Sequence, residues 1–275
     1  MNLRYILAFC LFFSFNLNAS ECFIIKDLNE GKIIKKDGGD VCETRFSPCS
    51  SFKIPLSLIG FDSGVLKNEK EPEMEWKEGY HEGLKEFHHF EASWPEKWMK
   101  TSAVWYSQEA VTKKIGMEKF EKYVKELNYG NVDLSGDENK NNGLTHSWLE
   151  SSLKISPLEQ IEFLEKMLNK KFKISDRAYE MTEKITYIKD INGWRLHGKT
   201  GSCSQKNDDG SKNPNRFAGW FVGWIEKDDR KIVFAKFIKD EKDVEKNDYA
   251  GLRARQSVID GLSKMNFNKI NKNNK

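Results

Sequence analysis

Ser50-Ser51-Phe52-Lys53 sets a hydroxyl and a primary amine three residues apart at the start of an expected helix. Residues three apart share a helical face, so the two groups can meet. Serine is a poor nucleophile until a base takes its proton, and lysine is a base only when its pKa falls. Burial lowers that pKa, because a low-dielectric site disfavours the ammonium. The N–H groups at a helix start also favour a developing oxyanion. The chemistry this suits is acyl transfer through a serine ester. The spacing alone is a weak signal. Ser151-Ser152-Leu153-Lys154 repeats it, in a segment expected to be solvated surface.

Lys199-Thr200-Gly201, preceded by Gly198, falls in an expected strand. Strict alternation puts Lys199 and Gly201 on one face and Thr200 on the other. Glycine within a strand permits close approach of a ligand. A lysine and a hydroxyl beside that gap suit a carboxylate substrate. Ser102-Ala103-Val104 lies between the two lysine motifs. Trp94, Trp98 and Trp105 flank it, and their indoles are expected in the core rather than on a pocket wall. Metal binding is not expected. The sequence has no CxxC, HxH or HExxH, and apart from the adjacent His88 and His89 its histidines are scattered.

These groups need elements to hold them. Residues 22–26 (CFIIK) and 32–36 (KIIKK) are short β-rich runs joined by turn chemistry, which predicts a hairpin. Residues 50–60 pattern as a helix, with Pro55 near enough to its start to be tolerated. Residues about 63–185 are expected to be helix-rich. Within them, 108–127 and 157–170 carry amphipathic patterns, the second with Pro157 just inside its start. Residues 133–143 form a charged loop. Strands return at 194–201, 217–225 and 231–238, the last two as a hairpin. Residues 250–264 suit a closing helix. Strands, then helices, then strands predict an α+β fold. One antiparallel sheet is built from the N- and C-terminal strands and flanked by helices, with a helical region inserted between its segments.

The chain has 275 residues, 38% of them hydrophobic and 32% charged, enough for one large core. Its charge, 45 − 42 = +3, is near balance. That argues against a nucleic-acid partner, since only the last ten residues are basic in character. An aromatic content of 12% argues against disorder. The long apolar run follows Arg4 and ends in Asn16-Leu17-Asn18-Ala19, the form of a secretory signal over 1–19. The expected organisation is that signal, one catalytic domain over 20–265 and an Asn/Lys-rich tail over 266–275. Export implies a periplasmic location and no stable membrane anchor. With no decisive apolar patch, a monomer or a homodimer is expected. In an oxidising compartment Cys22, Cys42, Cys49 and Cys203 allow three fully paired connectivities. Cys22 opens a strand and Cys42 follows its hairpin partner, so that pair is favoured. Cys49 reads as a small buried side chain, and pairings of Cys49 with Cys42 or with Cys203 stay open.

The ordered set Ser50-Ser51-Phe52-Lys53, Ser102-Ala103-Val104, Tyr129-Gly130-Asn131 and Lys199-Thr200-Gly201 resembles the penicillin-recognising serine acyl-transferases. Within them it is similar to the class D, oxacillinase-type β-lactamases, which carry SxV and (Y/F)GN elements. Phe46-Ser47-Pro48-Cys49, Trp148-Leu149-Glu150 with Ile155-Ser156, and Gly219-Trp220-Phe221-Val222-Gly223-Trp224 add to the likeness, which runs from about residue 22 to 262. The resemblance implies hydrolysis of a small-molecule β-lactam through an acyl-enzyme on Ser50. It implies that CO2 or bicarbonate carboxylates Lys53, which then serves acylation and deacylation as base. Trp148 would donate to that carbamate, and Val104 and Leu149 would gate water. Ser102 and Lys199 would pass a proton to the leaving nitrogen. The N–H groups of Ser50 and Ser202 would form the oxyanion hole. Thr200, Gly201 and Arg255 would bind substrate, with Arg253 as the near alternative to Arg255. A structural role in stopping a helix is expected for the Tyr129-Gly130-Asn131 element. Two other readings follow from the same superfamily: a penicillin sensor acylated without turnover, and a cell-wall DD-peptidase.

Overall fold

The computed structural model describes residues 19–82 and 85–265. Residues 1–18 of the expected signal over 1–19, and the tail 266–275, lie outside the described residues. Six strands form one sheet: β1 (Ala19–Asp27), β2 (Lys32–Asp37), β3 (Tyr187–Ile191), β4 (Trp194–Lys206), β5 (Lys212–Lys227) and β6 (Arg230–Asp240). Their order is β2-β1-β6-β5-β4-β3, and every neighbouring pair is antiparallel. The N-terminal hairpin thus joins the C-terminal strands through β1 and β6, as the α+β expectation requires.

Alternation along the strands divides the core in two. Phe23, Ile25, Phe217, Phe221, Ile225 and Phe234 face α9 (Ala250–Lys264), which answers with Ala250, Ala254, Val258 and Leu262. Ile24, Trp220, Val222, Trp224, Val233 and Phe237 face the helical region. Buried on both faces, β5 and β6 need continuous apolar runs rather than a two-residue alternation of apolar and polar. The helical region holds α1 (Lys53–Asp62), α2 (Pro95–Thr101), α3 (Val104–Tyr106), α4 (Lys113–Ile115), α5 (Met117–Glu126), α6 (Gly143–His146), α7 (Pro157–Leu168) and α8 (Asp176–Thr186). Pro157 is the first residue of α7. Ser156 caps it, closing a reciprocal box with Glu159.

Three expectations need correction. The 108–127 pattern is not one helix: a wide turn over Ser107–Thr112 leads into α4, and Gly116 (φ 78°, ψ 159°) separates α4 from α5. That backbone state is open to glycine and ends the helix despite a continuing apolar stripe. Residues 63–94 were expected within a helix-rich region, yet their described part carries only the short turn Lys85–Phe87. Gly64, Pro72 and Gly79 interrupt any long run there. The segment is pinned instead by Tyr106 Oη donating to the Pro72 carbonyl (2.6 Å) and by a Met74–Ser93 bridge. The strand β3 was not expected. It is an edge strand with exposed Tyr187, Lys189 and Asp190, so its apolar alternation is faint.

Cys22 and Cys42 form a disulfide with Cα atoms 5.2 Å apart. A second disulfide joins Cys49 to Cys203, Cα atoms 6.0 Å apart. Cys49 is therefore not a simple buried filler, because β4 brings a partner to it from 154 residues away.

Candidate active site

Ser50 lies in a 3-10 turn over Cys49–Phe52 that runs directly into α1. Pro55 is the third residue of α1, where its missing N–H costs no internal bond. Ser50 stays partly exposed, while Lys53 is fully buried. Lys53 Nζ donates to Ser50 Oγ at 3.1 Å. Burial, and then the neighbouring Lys199 cation, hold the Lys53 amine well below its ordinary range. Phe52 stacks on Trp148 with centroids 5.6 Å apart, which places the indole in the wall around the turn. Trp148 is fully buried, and its Nε1 has no hydrogen-bond partner among the described residues. Val104 and Leu149 are half-buried.

The turn is fixed from behind. Ser51 Oγ donates to the Pro48 carbonyl at 2.7 Å. Gln160 Nε2 donates to Ser51 Oγ (3.3 Å) and to Tyr129 Oη (3.0 Å). Gly130 sits at φ 59°, and a Cβ there would lie 2.0 Å from the Lys154 carbonyl oxygen, so the position admits only glycine. Asn131 Nδ2 donates to the Ser152 carbonyl, and Asn131 Oδ1 accepts from Lys154 N, both at 2.9 Å. The Tyr129-Gly130-Asn131 element is thus a clamp on the loop carrying Trp148. In the second SxxK run, Lys154 is exposed and the segment is not helical.

Along β4, Lys199, Gly201 and Cys203 alternate with Thr200 and Ser202, which lie on the α9 side. Gly201 lets the strand approach the Cys49–Phe52 turn: an added Cβ would meet the Pro48 carbonyl at 2.7 Å, Ser51 N at 2.8 Å and Ser50 N at 3.2 Å. Lys199 is buried and donates to the Thr200 carbonyl (3.0 Å) and Oγ1 (3.2 Å). The lysine thus bends around the strand, joining groups that strict alternation separates. Burial, and then Arg255, lower its pKa to about 7. Arg255 has its own pKa lowered by burial, and it makes no ion pair among the described residues. Arg253 is engaged: it binds both oxygens of buried Asp240 at 2.8 Å, and its Nε lies 3.2 Å from Asp248. Arg255, Lys199, Thr200, Thr186 and Met99 line a cleft of about 230 Å³. Ser50 and Ser102 do not line it. Ser102 ends α2 in a left-handed conformation (φ 68°), the bend that leads into α3.

Sequence reasoning quoted Ser47 only as part of a matching run, yet it ties three segments together. Its Oγ donates to the Trp148 carbonyl and accepts from Glu150 N, both at 2.9 Å. Its carbonyl accepts from Trp220 Nε1 at 2.8 Å. Gln160 was missed as well. Neither has a spacing signal, because their partners lie between 31 and 173 residues away.

A family profile described as "Penicillin binding protein transpeptidase domain" matches residues 23–264. "Beta-lactamase OXA-9" of Klebsiella pneumoniae is 42% identical over 251 residues, covering 90% of this chain and 89% of that protein. The chain belongs to the class D β-lactamase family. The crystal structure of the OXA-427 class D β-lactamase superposes with a TM-score of 0.79 at 40% identity, covering 88% of this chain and 96% of that one. "Regulatory protein BlaR1" of Bacillus licheniformis is 31% identical over 199 residues, covering 72% of this chain but 30% of that protein. The family assignment makes serine β-lactamase chemistry the activity of this chain.

Proposed function

We propose that this protein hydrolyses β-lactam antibiotics through an acyl-enzyme on Ser50, with carboxylated Lys53 as base. The observation that carries it is the fully buried Lys53 amine in hydrogen-bond contact with a partly exposed Ser50 hydroxyl. Ser50 Oγ attacks the lactam carbonyl while the Lys53 side chain takes its proton. The N–H groups of Ser50 and Ser202 hold the oxyanion, and Gly201 keeps the strand close enough for both to share one oxygen. The C–N bond breaks, and the leaving nitrogen receives a proton through Ser102 and Lys199. Water, deprotonated at the Lys53 side chain, then attacks the ester and releases Ser50. Thr200 and Arg255 hold the substrate carboxylate.

The residues around Lys53 fit a carbamate. Burial, and then Lys199, hold the amine's pKa well below its ordinary range, Phe52 and Trp148 form an apolar wall, and Trp148 Nε1 is a buried donor in need of an acceptor. Such a carbamate supplies an anionic oxygen base where a bare amine supplies a nitrogen base. Val104 and Leu149, half-buried, stand as the gate for water. For location, the reading is export to the periplasm.

A sensor that is acylated without turnover is the second reading, favoured by the likeness to BlaR1. Stopped-flow with a chromogenic cephalosporin, with and without bicarbonate, separates the two. Sustained turnover raised by bicarbonate and abolished in Ser50→Ala is the expected result. A single burst equal to the enzyme concentration identifies the sensor instead.

A further inference from the structure

Resting on the acyl-enzyme reading above, we infer that the Cys49–Cys203 disulfide sets the spacing of the oxyanion hole. Cys49 immediately precedes Ser50, and Cys203 immediately follows Ser202. The bond therefore joins the residues next to the two amides that must converge on one oxygen. Those amides belong to different elements, the turn Cys49–Phe52 and strand β4. No backbone hydrogen bond among the described residues links residues 47–52 to β4. The backbone bonds of the turn run elsewhere: Cys49 N donates to the Trp148 carbonyl at 3.0 Å, and Ser51 N donates to the Pro48 carbonyl at 3.1 Å.

Other contacts bear on the same joint, and none bonds the two residues beside the amides. Gly201 allows the strand to approach the turn, but an absent side chain limits distance only by repulsion. Trp220 Nε1 holds the Ser47 carbonyl at 2.8 Å, but Trp220 is on β5 and the bond acts three residues before Ser50. Glu150 accepts from Ser204 N at 2.8 Å and donates its own N–H to Ser47 Oγ at 2.9 Å, a bridge that also ends three residues before Ser50. The disulfide is the direct attractive tie between the residues beside the two amides. Both cysteines are buried, at 3% and 5% exposure, so the tie lies inside the packing rather than on a flexible rim. On the far side of β4, Ser202 Oγ accepts from Gly251 N at 3.0 Å, which holds the second amide against α9. With Ser202 anchored to α9 and Cys203 anchored to Cys49, the turn cannot drift from the strand. Cys49 and Cys203 act here as positioning residues, through the amides beside them.

The Cys22–Cys42 disulfide is the internal control, since it staples β1 to the turn Gly39–Cys42 away from these groups. The test compares wild type, Cys49→Ala/Cys203→Ala and Cys22→Ala/Cys42→Ala, each well below its own melting temperature. Two quantities are read: the acylation rate with a chromogenic cephalosporin, and the inhibition constant of an arylboronic acid. The tetrahedral boronate on Ser50 places an oxygen where the oxyanion sits. Removing one oxyanion donor outright costs about 10²–10³ in rate, so loosening the pair should cost about 10–100-fold in acylation. Boronate affinity should fall by a similar factor. The Cys22→Ala/Cys42→Ala protein should lose melting temperature and keep both quantities.

If Cys49→Ala/Cys203→Ala fails to fold, folded wild type is opened with dithiothreitol and its thiols are located by alkylation and mass mapping. Activity should then fall with modification-competent Cys49 and Cys203, and return when the bond is re-formed. Unchanged acylation and boronate affinity after opening overturns the inference, as does an equal loss in the Cys22→Ala/Cys42→Ala protein. Oxidised wild type that neither acylates nor binds boronate defeats the acyl-enzyme reading itself.

Discussion

An amine buried without an anionic partner is an expensive thing for a protein to keep. Lys53 is such a group, fully buried and, among the described residues, bonded only to the Ser50 hydroxyl. Its lowered pKa means that the unfolded chain binds a proton the folded chain does not. Stability therefore rises with pH, from the lowered folded value up to about 10.4, the value for a free lysine. Lys53→Met removes that cost, and we expect it to raise Tm by several degrees in carbonate-free buffer while turnover is lost. Calorimetry at neutral pH checks this; an unchanged or lower Tm counts against it. Lys199 carries the second prediction. Its pKa of about 7 makes it cationic below that pH and neutral above it. For an anionic β-lactam, kcat/KM should fall as pH rises through about 7. Bicarbonate should move that limb upward, because carboxylation of Lys53 places an anion beside Lys199. Lys199→Arg should remove the limb, and a wild-type profile that is flat across neutral pH would sink the assignment.

At the scale of elements, the packing of α9 on the sheet sorts two nearby arginines. Gly219 and Gly251 permit that packing: a Cβ on Gly251 would lie 2.4 Å from the Gly201 carbonyl, and one on Gly219 would lie 2.2 Å from Gly251 N. With the helix seated there, Arg255 comes one turn after Gly251 and reaches the cleft beside Lys199 and Thr200. Arg253 turns to Asp240, which is 1% exposed. The two truncations should therefore differ in kind. Arg255→Ala should raise KM for a carboxylate-bearing substrate about 10–100-fold, the loss of a charge-assisted bond, with little change in Tm. Arg253→Ala leaves buried Asp240 with the Phe217 N–H as a remaining donor and should cost about 1–3 kcal/mol of stability, with a smaller effect on KM. Steady-state kinetics beside thermal melts would expose a reversal.

Across the whole molecule, the helical region and the sheet meet on both sides of the catalytic groups. Near one end of β4, His197 is fully buried and stacks on Trp224 (centroids 4.7 Å apart). His197 Nδ1 contacts the Glu183 carbonyl of α8 at 3.0 Å. Its Nε2 lies 3.4 Å from Glu226 Oε1, and Arg195 binds the same oxygen at 2.9 Å. His197, with Lys231 and Arg195, pulls the Glu226 carboxyl down to about 2. A lowered carboxylate stabilises the fold above its unfolded value and loses that contribution as pH falls toward the folded one. Glu226→Gln should thus cost about 1–3 kcal/mol at neutral pH, after allowance for solvent screening. The gap to wild type should narrow as pH falls from about 4 toward about 2. Melts over an acid series check it, and a gap constant with pH would refute the ion-pair account.

Local chemistry made much of this protein legible in one dimension. Three-residue spacing put Ser50 and Lys53 together, because a helical start repeats about every three to four residues. Apolar runs and turn residues marked β1, β2, β5, β6, α7 and α9, since each buries a face against the same core. Ordered motifs carried the family. Gly116 and β3 escaped, the first because an amphipathic stripe continues across a backbone break, the second because an edge strand need not alternate. The remainder was decided only by tertiary structure. The ion pair that occupies Arg253 while Arg255 lines the cleft, the burial that lowers the Lys53 pKa, the hub at Ser47 and the Cys49–Cys203 pair each depend on partners far away in sequence. Sequence spacing encodes neighbours along the chain, whereas desolvation and long-range pairing depend on what the whole fold packs against a group.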